Sequence, residues 1–139
     1  MHLTAKSEYA CLALIDLSEH YGKGLCRISE IARRKGIPRK FLEQILLILK
    51  QAGYVRSHKG ALGGYQLAKE PGDISLAQIV RLLDGPLAPA GSASKYFYEQ
   101  TPIEKSKELL AVFRDIRDYL SEKMETTTFA SLVPKRRDR

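Results

Sequence analysis

No stretch of this chain approaches the roughly 18–20 uninterrupted apolar residues of a membrane-spanning helix, because acids and lysines interrupt every apolar segment. The opening MHLTAKSEYACLAL holds only a short apolar run, broken by Glu8 and continued into Asp16, with no small-residue cleavage site after it. No secretory signal is expected from that pattern. Cysteine is scarce as well. Two residues, Cys11 and Cys26, cannot build a disulfide framework, and their spacing matches no zinc pattern. The reducing cytoplasm is the expected compartment. Catalytic constellations are missing too. His2, His20 and His58 lie far apart with no ligand spacing, neither usual phosphate-binding glycine loop occurs, and no nucleophile motif surrounds a serine. The sequence is therefore not expected to be an enzyme or to carry a metal or other cofactor.

What the chain does contain is enough apolar material for a core. Its 139 residues are 44% apolar and 28% charged, which fits one domain with an appended arm and excludes wholesale disorder. Charge is unevenly placed. The net charge is +7, yet the window from Tyr21 to Gly60 holds ten basic residues (Lys23, Arg27, Arg33, Arg34, Lys35, Arg39, Lys40, Lys50, Arg56, Lys59) against Glu30 and Glu43. That window carries +8 and everything outside it sums to −1. Such a local excess points to a polyanion-binding surface, with a solvated basic face as the plainer alternative.

Periodicity supplies the architecture. Ala10, Leu14, Leu17 and Tyr21 fall on one face of a first helix, with Thr4 as N-cap and Gly22 as stop. After the apolar piece 25–28, Ser29 is expected to cap a short helix from Glu30 to Lys35, ended by Gly36. Pro38 then opens RKFLEQILLILKQA, which stops at Gly53. Two short helices joined by the tight turn 35–37 make a helix-turn-helix. Strands are expected over 54–58 and 65–68, flanking a glycine-rich tip at 59–64. Ser75 and Gln78 form a capping box for a helix from Leu76 to about Leu83, stopped by Gly85–Pro86. Beyond Pro102, Leu109, Phe113, Ile116, Leu120 and Met124 recur at helical spacing.

The fold class is thus mainly α with a small β-wing, a winged helix-turn-helix plus a long C-terminal dimerisation helix. The expected divisions are a DNA-binding domain at 1–84, a connector at 85–101, a dimerisation helix and C-terminal segment at 102–132, and a disordered basic tail at 133–139. Leu109, Phe113, Ile116 and Leu120 are the expected dimer contacts, against the alternative that this helix folds back on its own domain.

The second helix of such a motif lies in the major groove with its N-terminal residues toward base edges. Its core side here is Leu42, Ile45, Leu46 and Leu49, so Arg39, Lys40, Glu43 and Gln44 lie opposite. Cations suit phosphate or guanine, Gln suits adenine, and Glu accepts from cytosine N4. A carboxylate on such a face is a cost unless it reads a base, which singles out Glu43; its alternative is a surface pair with Lys40 or Lys50. At the wing, His58, Lys59 and Gly60 combine cation and small residue, suited to close approach to a narrow minor groove. Lys6 and Tyr9 on the first helix can touch phosphates, with core packing the equal alternative for Tyr9. Cys26 has Lys23 and Arg27 as sequence neighbours, which favours a thiolate and a redox role; a small buried apolar residue is the other reading. Cys11 reads as core.

The segments LTAKSEYACLALIDLSEHYG, ISEIARRKGIPRKFLEQIL and GALGGYQLAKEPGDISLAQIVRLLDGPLAP together resemble the bacterial regulators of the IscR, NsrR and CymR type, the Rrf-two family. The resemblance is close over residues 1–90 and weaker through TTTFASL. It implies that Lys40, Glu43 and Gln44 sit where base-contacting residues lie, and that the GGY wing enters the minor groove, with Lys59 where the family usually has Arg. Many members hold an iron–sulfur cluster on three connector cysteines. The corresponding AGSASKYFYEQTP has none, so no cluster is expected. The resemblance and the residues together imply a sequence-specific regulator, a repressor, binding a pseudo-palindromic stretch of double-stranded DNA as a homodimer. Its small-molecule or protein effector is unknown, and no membrane is involved. The alternatives are a thiol-redox sensor acting through Cys26 and a protein-interaction module controlling a partner enzyme.

Overall fold

A computed structural model describes residues 2–88, 90–94 and 100–135. Helix α1 (Ala5–Glu19) begins where the Thr4 hydroxyl accepts the Ser7 N–H at 3.2 Å, satisfying one of the orphan amides of the first turn. Ala10, Ala13, Leu14 and Leu17 are buried along it. The expected fourth member of that face, Tyr21, is exposed. The helix ends two residues earlier, the Tyr21 amide turns back to the Ser18 carbonyl, and Gly22 only provides the positive-φ exit.

Helix α2 (Ile28–Lys35) starts two residues before the expected Glu30. Ser29 does not cap it. The extended residue at the boundary is Arg27, and its backbone N–H donates to the Glu30 carboxylate at 3.1 Å. Gly36, in the left-handed region at φ 64°, ends α2 with its N–H on the Ala32 carbonyl, and α3 (Arg39–Gln51) follows Pro38. Leu42, Ile45, Leu46 and Leu49 are buried in the main core, as their spacing requires.

Strands β1 (Val55–His58) and β2 (Gly64–Leu67) pair antiparallel, Val55 opposite Leu67 and His58 opposite Gly64. The apolar piece before α2 adds an isolated bridge on the other edge of β2. Cys26 donates its N–H to the Tyr65 carbonyl at 2.8 Å and accepts the Tyr65 N–H at 2.7 Å. Helix α4 (Leu76–Asp84) carries the expected capping box, with the Gln78 N–H on Ser75 Oγ and the Ser75 N–H on Gln78 Oε1.

The connector is more than a spacer. Leu87 packs with Ala77 and Val80, while Ala93 and Ser92 are buried. Its residues 89 and 95–99, and residues 136–139 of the expected basic tail, lie outside the described residues. Helix α5 (Lys107–Thr126) packs on α4, where Arg81 donates to Ser121 Oγ at 3.2 Å and to Glu125 at 2.7 Å. No helix among the described residues is long and apolar enough to cross a membrane.

After α5 the chain returns to the first unit. Leu76 N–H donates to the Thr127 carbonyl and Phe129 N–H to the Ile74 carbonyl, which seats the fully buried Phe129 ring in the main core. The expected boundary between 1–84 and 102–132 is therefore crossed by packing. Truncating Phe129 removes a large ring from a closed site with little room to collapse. Phe129→Ala should cost about 3–5 kcal/mol in urea unfolding, and a loss below about 1 kcal/mol would show that the segment only rests on the surface.

Candidate nucleic-acid interface

With the core side of α3 buried, its other face is open. Arg39, Lys40, Glu43 and Gln44 are all exposed, on the first turn and a half of the helix. Glu43 pairs with neither Lys40 nor Lys50. Its partner is Arg39 one turn earlier, at 3.4 Å, and both side chains are more than half exposed. An exposed pair of that kind contributes little and breaks easily, so the carboxylate stays available to a partner surface. Lys6 and Tyr9 are half-buried on α1. Tyr9 packs against the main core and tilts onto Phe41 of α3, ring centroids 5.7 Å apart, so its ring braces that helix.

The wing lies beside α3. His58, Lys59 and Gly60 are exposed at the start of its tip, and the His58 and Gln66 side chains meet at 3.2 Å. Arg27 Nη2 donates to the Ala61 carbonyl at 2.6 Å and ties the tip to the start of α2. Between tip, β1 and the end of α3 runs a groove of about 430 Å³ whose lining includes Arg27, Lys50, His58 and Lys59. Neither Arg27 nor Lys50 is among the DNA-contacting residues expected from the sequence, where they belong to the basic window. Two glycines allow this shape by close approach: a Cβ on Gly63 would sit 2.2 Å from the His58 carbonyl oxygen, and one on Gly64 would sit 2.6 Å from that of Cys26.

Behind this surface sits a polar cluster in the core. Asp16 has no solvent exposure, and Arg34 holds both its oxygens, Nε on Oδ1 and Nη2 on Oδ2, each at 2.9 Å. His20 Nδ1 donates to the Asp16 carbonyl at 2.8 Å. Cys26 is adjacent, and one donor atom from each of Asp16, His20 and Cys26 lies within 4.8 Å of the other two. Nothing in the residue order signals this grouping, since spacings of four and six across a helix end match no ligand pattern.

Both thiols are held toward the protonated form. Burial pushes the Cys26 thiol up and Asp16 adds to it, with Arg34 pulling the other way. Lys23 and Arg27, the cations expected to activate it, are not among the groups acting on it. Burial, then Asp84 and Glu8, push Cys11 up to about 11. A thiol with a raised pKa has less thiolate at neutral pH, and the thiolate is the nucleophile. Iodoacetamide at pH 7 should therefore modify both cysteines at least about tenfold more slowly in the folded protein than in urea, with the gap narrowing as pH rises. Fast modification of folded Cys26 would restore the redox reading.

The comparisons with known proteins agree with this geometry. The chain is 43% identical over 100 residues to an rrf2-like HTH-type transcriptional regulator of Rhodobacter capsulatus, covering 70% of this chain and 67% of that one. It is 30% identical over 133 residues to the HTH-type transcriptional regulator CymR of Bacillus subtilis, covering 96% and 90% of the two chains. The solved structure of the B. subtilis CymR, described as the global cysteine regulator, superposes with a TM-score of 0.76 over 95% of both chains at 30% identity. That of T. potens IscR gives 0.73 over 95% of this chain and 85% of the other, also at 30% identity.

Residues 3–135 match the family model Rrf2, described as "Iron-dependent Transcriptional regulator". The donors here do not fit a cysteine-held iron–sulfur cluster. Such a cluster needs several thiolates together, whereas the chain has two cysteines, one in α1 and one at the root of the wing. Its own features are a helix-turn-helix with an open polar face on α3 and a basic wing. The chain belongs to the Rrf2 family, as a DNA-binding transcription regulator of helix-turn-helix type.

Proposed function

We propose that the chain works in the cytoplasm as a homodimeric repressor, with α3 of each protomer in one major groove of a pseudo-palindromic operator and each wing in the flanking minor groove. The observation that supports this reading is that the cationic groove, lined by Arg27, Lys50, His58 and Lys59, reaches the C-terminal end of α3, whose first turns expose Arg39, Lys40, Glu43 and Gln44. In that arrangement Arg39 and Lys40 meet phosphate or guanine, Gln44 suits adenine, and Glu43 accepts from a cytosine amino group.

The dimer rests on α5. Its exposed large apolar residues are Leu109, Val112, Ile116 and Tyr119, spaced three, four and three apart, which is the seam of a helix pair. Phe113 and Leu120, expected on this seam, are half-buried on the adjoining side. Selecting bound sequences from random DNA would give the operator. Binding to it should weaken by roughly one log unit of salt slope per phosphate contacted. A protein-interaction module without DNA affinity would yield no enriched sequence.

Two changes on the reading surface should fail differently. Lys59→Ala should weaken binding to nearly any sequence and flatten the salt slope. Glu43→Ala should cost about 1–3 kcal/mol on the best operator and spare or strengthen binding to random DNA, since a carboxylate repels phosphate in general. Equal loss on both DNAs would mean that Glu43 acts only through Arg39.

The seam has its own test. Val112→Glu with Ile116→Glu should give monomers in ultracentrifugation and lose operator affinity, because each half-site forfeits its partner's contacts. A double variant that stays dimeric removes α5 from the interface.

A further inference from the structure

We propose that Asp16, His20 and Cys26 form a binding site for one divalent transition cation of the zinc class, and that the ion acts as an effector of the DNA-reading surface. The three side chains offer oxygen, nitrogen and sulfur, the donor types that such cations take in four-coordinate sites, and solvent fills the fourth position. Their donor atoms already lie within 4.8 Å of one another.

Two details fit ligation beyond proximity. The backbone carbonyl of Asp16 can only accept, so it holds the N–H of His20 Nδ1 and leaves Nε2 as the ring nitrogen open to an ion. An imidazole fixed through one N–H to a carbonyl is the arrangement that orients metal-binding histidines. Arg34, which occupies Asp16, has a second carboxylate within reach, its Nη1 lying 3.6 Å from Glu30. An ion at Asp16 would displace the guanidinium toward Glu30 and leave neither charge unpaired. His20, whose side chain is 34% exposed, opens the cluster to solvent, while Asp16 is sealed. On binding, the Cys26 thiol gives its proton to solvent as the sulfur–metal bond forms, and no electron moves.

The position links the ion to DNA binding. Asp16 and Arg34 hold α1 against α2, and Cys26 pairs through its backbone with Tyr65 of the wing. Occupation changes the partner of Arg34 and pulls on the strand at the root of the wing, so it should lower operator affinity. This last consequence rests on the DNA-binding reading; the binding of the ion does not.

The test uses the full chain, stripped with chelator and kept reduced with a phosphine, titrated with Zn²⁺ by calorimetry and with Co²⁺ by absorption. One ion per chain is expected, with a near-ultraviolet sulfur-to-cobalt charge-transfer band. Cys26→Ser should abolish the band. His20→Gln, which keeps an N–H for the Asp16 carbonyl, should weaken binding at least about tenfold. Urea unfolding of both variants checks that they remain folded. No binding by the unaltered chain, or a band that survives Cys26→Ser, overturns the site. For the effector role, Zn²⁺ should weaken binding to the selected operator by about tenfold in the unaltered chain and leave Cys26→Ser unchanged. Metal binding with no shift in operator affinity overturns that role.

Discussion

A carboxylate buried without solvent access is costly unless a cation and hydrogen bonds meet it, and in this fold the residue concerned is Asp16. Its two bonds from Arg34 form only when α2 crosses α1 at one place and angle. The Gly36 turn and Pro38 then leave α3 little freedom in how it departs from α2. The open face of α3 is thereby set from behind, by an ion pair whose carboxylate is fully buried. Hydrophobic packing of α1 against α3 gives the stability, but apolar contacts tolerate small rotations. A bidentate pair does not, and that is what it adds.

The wing depends on the same corner of the molecule. A two-stranded hairpin alone is marginal in water. Here the isolated bridge from Cys26 to Tyr65 holds β2 on its other edge, and Arg27, the next residue, reaches the Ala61 carbonyl at the tip. Gly64 is required by this closeness, because any side chain there would strike the Cys26 carbonyl. Reading helix and wing are thus fixed to one another through residues 26–34, and any influence on that segment reaches both.

Much of this is legible in the sequence, and the reasons differ by element. The helices α3 and α4 announce themselves because their apolar residues repeat at helical spacing and their ends carry Pro38, Gly53 and the Ser75–Gln78 box. Tertiary pairings over long separations leave no such trace. Phe129 sits in TTTFASL with no periodicity around it, and its burial depends on Ile74 more than fifty residues earlier. The start of α2 differs from expectation because Ser29 is a better N-cap by type than Arg27, whereas the boundary is set by where the strand pairing with Tyr65 ends. Asp16 reads as a break in an apolar helix. Only the fold shows that it has a cation, an imidazole and a thiol around it.

The exposed seam on α5 is rotated by one position from the expected one for a related reason. Leu109, Phe113, Ile116, Leu120 and Met124 follow the helical repeat of one wide apolar face, but such a face can be shared between two neighbours. Met124 packs with Ala77 and Val80 of α4, which draws its side of the face, Phe113 and Leu120 included, toward the chain's own core. Val112, Ile116 and Tyr119 are left outward. Arg81 bonded to Ser121 and Glu125, and Phe129 locked beneath Ile74, hold that division in place. In the proposed dimer the two α3 helices must meet grooves about 34–36 Å apart. A helix clamped to its own domain at this end carries the spacing rigidly, so a turn of α5 against α4 would become a displacement of α3 from its groove.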